Sequence, residues 1–123
     1  MSDDKKEYSL LAKCIAEACG TFAIVAGGCG AVAANRYAGG GVFGAAAFGG
    51  SVMIGAYSTR EISGAHLNPA VTAACVATDF PGKCEPETGA AYVASQCIGA
   101  VAACAAFLDA RRACAASSTG VEG

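Results

Sequence analysis

Tryptophan is absent from these 123 residues, histidine occurs once, proline three times, and charged side chains make up only 15%. An ordinary soluble domain carries about a quarter charged residues. So little charge argues against a disordered chain, a coiled coil and a nucleic-acid binder. The net charge of −2, from 8 basic and 10 acidic side chains, offers no attraction to polyanions. The 17 glycines follow no three-residue period, which removes collagen. The 8 cysteines include no C-x-x-C pair, and the single His66 cannot complete a common Cys/His zinc site. No metal or cofactor is expected. There is no nucleophile–base pair, no carboxylate pair and no phosphate loop. Gly27-Gly28-Cys29-Gly30 is too short and too deep in apolar sequence to serve as a dinucleotide loop. The chain does not read as an enzyme. Nor does its start, Ser2-Asp3-Asp4-Lys5-Lys6, read as a cleavable leader.

What is present is apolar sequence, 54% of the chain, at a mean hydropathy of +0.47. It lies in runs that avoid charge. Residues 14–35 hold one charged side chain, Glu17, and residues 37–59 and 88–108 hold none. These runs have 21 to 23 residues, and a helix needs roughly 20 to cross about 30 Å of hydrocarbon. They predict three membrane-spanning helices, at about 9–35, 40–59 and 88–108, in an all-α membrane protein. Residues 1–8 form a polar N-terminal tail, and residues 113–123 a small, polar, frayed one. The runs are rich in Ala, Gly, Cys and Ser, and an alanine-rich soluble bundle competes as an explanation. Small residues are also what close helix packing in membranes favours, and Gly40-x-x-x-Gly44 and Gly99-x-x-x-Ala103 fit it. The cysteines read as small buried apolar residues. Tyr8, Tyr37, Tyr57 and Tyr92 fall near the span ends, as an interfacial belt would. Three spans with a cytoplasmic N-terminus put Lys5, Lys6, Lys13, Arg60 and Lys83 inside, and Arg36, Arg111 and Arg112 outside.

A fourth charge-free run, 62–78, has 17 residues and is interrupted by Asn68-Pro69. It reads as a re-entrant segment, tolerated at depth where protein or a water cavity covers its backbone. Ser63-Gly64-Ala65 suits an extended chain. Asn68 is an N-cap residue and Pro69 is favoured at the first helical position. A half-helix starting there is too short to cross the bilayer. Its first turn carries about half a positive charge and repels cations. The carbonyls of Gly64, Ala65 and His66 lack helical partners and need water or a ligand. Acceptors leading to an amide donor under a positive dipole make a path for small neutral hydroxylic molecules. The plainer alternative is a turn at the membrane surface.

The string Ser63-Gly64-Ala65-His66-Leu67-Asn68-Pro69-Ala70-Val71-Thr72 resembles the first signature of the aquaporin, or major intrinsic protein, family. Ala16-Glu17-Ala18-Cys19-Gly20-Thr21-Phe22 is similar to the family's first helix, and Gln96-Cys97-Ile98-Gly99-Ala100 to its third. Phe48 stands 20 residues before Asn68, as does the second-helix aromatic of water-selective members. The resemblance covers residues 9–112. It implies passive, proton-excluding transport of water, with half-helix dipoles acting as they do in aquaporin-type pores generally; a glycerol or small-solute facilitator is an alternative. Asn68, Pro69 and Ala70 would form the signature tip, and Gly64, Ala65 and His66 would line the pore through their backbone. Phe48 would wall the selectivity filter, unless it is ordinary lipid-facing surface. Glu17 would be buried beneath the re-entrant loop; the competing account is a helix-end acid beside Lys13. His66 would act through its backbone rather than as a proton switch.

The family has six spans and two signatures in an inverted repeat. These residues hold three spans and one signature, with Arg60-Glu61 where the family has Gly and a small or polar residue. The chain therefore reads as the N-terminal half of a channel. Its expected partners are lipid, water or a small neutral solute, and a complementary half or further copies, since the family assembles as tetramers. No nucleic acid is expected. A non-conducting truncated protein that associates with full-length channels is the alternative.

Overall fold

The structure, a computed structural model, describes residues 7–35, 41–78 and 84–119. Tyr37, Gly40, Arg36, Lys83 and both extreme tails lie outside them. Among the described residues five α-helices follow in order: α1 (Leu10–Ile24), α2 (Gly30–Asn35), α3 (Gly41–Ser63), α4 (Pro69–Ala77) and α5 (Pro86–Thr119). A single π turn, Val25–Cys29, joins α1 to α2 as one continuous rod. Among the described residues three helical stretches are long and apolar enough to span a membrane: Leu10–Val32, Gly41–Ser63 and Pro86–Ser117. The protein is an all-α membrane protein. Two of the stretches outrun the expected spans. Arg60 and Glu61 sit in the last turns of α3, and α5 continues through Arg111 and Arg112 to Thr119 where a frayed tail is expected. Neither Pro nor a helix-ending Gly stands between residues 100 and 119 to stop it.

Local chemistry accounts for the ends. Ser9 caps α1, its hydroxyl accepting from the Ala12 N–H at 3.3 Å. Pro86 opens α5, where its missing N–H is not needed. Along α3 the hydroxyls of Ser51, Ser58 and Thr59 donate to carbonyls four residues earlier, at 2.7 to 2.9 Å. That bonding lets polar residues enter a lipid-facing helix without an unpaired donor.

Helix α1 lies between α3 and α5, and α4 packs on α5. The crossing of α1 and α5 is close enough to require glycine. A Cβ on Gly99 would collide with the Ala18 carbonyl oxygen and stand 3.0 Å from its carbon. The Gly99 and Ala103 pair does face a neighbouring helix, Ala103 being 1% exposed.

The burial pattern is inverted relative to a soluble domain. The buried apolar side chains are Ala16, Leu67, Cys84, Tyr92 and Ala103; the buried polar ones are Glu17, Thr21, Thr59, Thr72 and Gln96. The surface carries Val42, Phe43, Tyr57, Leu11 and Val101, each at least 69% exposed. Water would not hold such a chain together, because apolar burial drives folding there. Lipid, which takes the apolar surface, is the consistent solvent. The cysteines depart from expectation: Cys84 alone is buried, Cys14 and Cys75 are partly covered, and the other five face outward. Small thiols on the outside of a membrane helix carry no burial penalty. Tyr92 also departs. It is 3% exposed and its hydroxyl donates to the Ser63 carbonyl at 2.9 Å, so it is an internal strut and not a belt residue.

Two outcomes check this packing. Gly99→Leu should separate α1 from α5 and lower the detergent-unfolding free energy by about 1–3 kcal/mol, whereas Gly50→Ala, whose Cβ meets nothing within 4 Å, should not. Cys84, just before α5, has its thiol pushed above the usual cysteine value by burial, then by Cys75, Glu17 and Glu85. Less thiolate at a given pH means slower alkylation. Iodoacetamide at about pH 8 should modify exposed Cys114 well before Cys84, followed by peptide mass mapping.

Candidate functional site

Between α3 and α4 the chain leaves the helix over residues 64–68; the Gly64 N–H still donates to the Arg60 carbonyl at 3.0 Å, the last turn of α3. Three residues there have positive φ: Gly64 at 93°, Ala65 at 57° and Leu67 at 53°. The two non-glycine residues occupy the left-handed region, at a cost of order 1 kcal/mol or more each. Contacts from both flanks impose it. Leu67 fills a notch made by two glycines: a Cβ on Gly20 would overlap it, and one on Gly55 would lie 3.1 Å from its Cδ1. The Thr21 hydroxyl donates to the Leu67 carbonyl at 3.2 Å.

Glu17 is fully buried beneath the loop. Its Oε1 accepts from the Ser63 hydroxyl at 2.6 Å and the His66 N–H at 3.0 Å. Its Oε2 accepts from the Leu67 N–H at 2.6 Å and the Gln96 amide at 2.8 Å. The Ala65 N–H is held by the Ser63 hydroxyl at 3.2 Å. A trans peptide points its N–H and C=O in opposite directions. Anchoring the N–H groups of Ala65, His66 and Leu67 toward Ser63 and Glu17 therefore turns the carbonyls of Gly64, Ala65 and His66 the other way. Among the described residues nothing donates to those three carbonyls.

Asn68 ends the loop, with φ −154° and ψ 129°. Its Oδ1 accepts from the Ala70 N–H at 2.8 Å, which leaves the NH2 group as the outward donor. Pro69 occupies the first position of α4. Thr72 stabilises the turn from behind. It is 1% exposed, its N–H and hydroxyl both meet the Asn68 carbonyl, and its oxygen accepts from the Gln96 amide at 3.0 Å. The His66 Nδ1 lies 3.2 Å from the same oxygen, and its ring meets Tyr92 edge-on at 5.3 Å. With the Thr72 proton given to Asn68, the consistent assignment makes Nδ1 the protonated nitrogen. Phe48 stands apart from this cluster on α3, 42% exposed, with its ring against Gly28 of the π turn.

The profile of the Major intrinsic protein family matches residues 4–121. The chain belongs to the major intrinsic protein family. Among its relatives, Aquaporin NIP1-3 of Oryza sativa subsp. japonica is 46% identical over 77% of this chain and 33% of its own length. Aquaporin NIP1-2 of Arabidopsis thaliana is 42% identical over 82% of this chain and 37% of its own. Aquaporin Z of Rhodopseudomonas palustris is 43% identical over 76% and 39%. The chain spans about a third of the length of these curated relatives. No solved structure matches it. Major intrinsic proteins are channels for water and small solutes, not enzymes, and this one is an integral membrane protein.

In this major intrinsic protein, the structure brings Glu17, Gly64, Ala65, His66, Asn68, Pro69 and Ala70 into one cluster; Phe48 is held elsewhere on α3. Sequence reasoning gave no site role to Gln96, Thr72, Thr21, Ser63 or Leu67, and put Tyr92 in an interfacial belt. Gln96 had a signal: it is the only side-chain amide in the charge-free run 88–108, and such a group needs a partner in lipid. Gln96 Oε1 is buried without a partner among the described residues.

Glu17→Ala should strand the loop N–H groups, each at about 1–3 kcal/mol for an unsatisfied buried donor. The amides of His66 and Leu67 should then exchange hydrogen much faster in detergent, while Glu17→Gln, one of whose ends donates, should restore protection only in part.

Proposed function

We propose that the chain forms one half of a passive, proton-excluding pore for water or a small neutral solute. In it the carbonyls of Gly64, Ala65 and His66 accept from the solute, and the Asn68 amide donates to it at the pore centre. Support comes from one observation above all. Three successive carbonyls are turned away from their anchor and lead to an amide at the N-terminal end of α4. An unsatisfied carbonyl in hydrocarbon costs several kcal/mol, and a file of water offsets that cost. The positive end of α4 repels cations, and a donor fixed at Asn68 orients the water passing it. Phe48 walls the filter and favours water over glycerol. A complementary half, or a second copy inserted in the opposite sense, supplies the other wall, and the N-terminus lies in the cytoplasm.

The test is osmotic shrinkage of proteoliposomes holding the chain alone or together with the C-terminal half of the rice relative. The pair should raise water permeability over protein-free vesicles and leave proton leak unchanged. No rise in either preparation ends the channel reading. Co-purification with a full-length relative, again without permeability, assigns the non-conducting role. Phe48→Ala in the conducting pair should raise glycerol permeability several-fold, and unchanged selectivity would remove Phe48 from the filter.

A further inference from the structure

The π turn of the first helical rod turns two glycines toward α3. A Cβ on Gly27 would meet the Ser51 hydroxyl. A Cβ on Gly28 would overlap Cδ2 of the Phe48 ring, at 2.9 Å from Cε2 and 3.0 Å from Cγ. Gly28 is buried, yet the ring above it is 42% exposed. One side of the ring thus rests on bare backbone while the other is open. π turns are rare and costly insertions that recur at functional sites. This one falls where α1 passes the aromatic residue.

We propose that Gly28 is a positioning residue for Phe48: the missing side chain lets the ring recline on the π turn, and the depth of that seat sets the size of solute admitted. The proposal rests on the reading of Phe48 as a filter wall. Its physical basis is that a phenyl ring is rigid. A methyl group at Gly28 would touch three ring carbons at once, Cγ included, so no bending of a flexible end relieves the overlap. The ring must rotate about χ1 or ride with its helix, in either case away from Gly28. Alanine is the better helix former, so the substitution does not threaten the helix by propensity.

The experiment places 4-fluorophenylalanine at position 48 of the full chain in nanodiscs and records the fluorine resonance. Gly28→Ala should move the resonance, whereas Gly30→Ala, whose Cβ meets nothing within 4 Å, should leave it in place. In the conducting pair, Gly28→Ala should lower the glycerol-to-water permeability ratio several-fold, and Phe48→Leu in the same chain should restore it. A resonance unmoved by Gly28→Ala overturns the seat. A moved resonance with an unchanged ratio overturns its bearing on size selection. If even the unaltered pair conducts nothing, the channel reading fails by itself, and the resonance still decides whether Gly28 seats the ring.

Discussion

The Glu17 carboxylate accepts hydrogen bonds from α3, from the loop and from α5, all within the low-dielectric interior of a membrane protein. A charge there without donors would cost several kcal/mol, and a loop there without acceptors would cost as much again. Each removes the penalty of the other. The consequence reaches the opposite face of the loop, because peptide planarity converts inward N–H groups into outward carbonyls. The acid never faces the proposed solute path, yet it decides which atoms do. Leu67 and Thr21 complete the constraint by pinning the loop where its φ angles are unfavourable.

Polar side chains fill the interior because lipid reverses the usual sorting. Packing, close glycine contacts and satisfied hydrogen bonds replace the expulsion of apolar surface as the forces that hold helices together. Gly99 against Ala18 and Leu67 between Gly20 and Gly55 are among the tight contacts. Glu17, Gln96, Thr72 and Ser63 form the hydrogen-bonded part, joined across as many as 79 residues of sequence.

Much of this was legible because it is local. Three long apolar runs, two of them without a charge and one with Glu17 alone, announce three long helices, and Asn68 followed by Pro69 announces a helix start whatever surrounds it. Glu17 stands out as a lone acid in apolar sequence. Its partners do not: Gln96 and Leu67 meet it only once α1, α5 and the loop have packed, and nothing in their own neighbourhoods encodes that meeting. Its distance from a span end puts Tyr92 at an interface, but a hydroxyl that reaches the Ser63 carbonyl at the end of α3 gains more inside. The π turn was hidden for a related reason, since Val25–Cys29 reads as ordinary apolar helix until the ring of Phe48 is seen against it.

Helix α4 is nine residues long, and the chain leaves it at Thr78 in extended conformation. At 1.5 Å per residue such a helix covers about 14 Å, near half the hydrocarbon thickness. In the proposed channel half this element would dip and come back, leaving sidedness unchanged, so that α5 would set out from the leaflet at which α3 arrives. Three crossings are an odd number, and with three the two ends of the described segment would lie in opposite compartments. Copies threaded in the same sense all aim their Asn68 amides the same way, like arrows in one quiver. Two such tips can meet head-on only when one chain is threaded backwards.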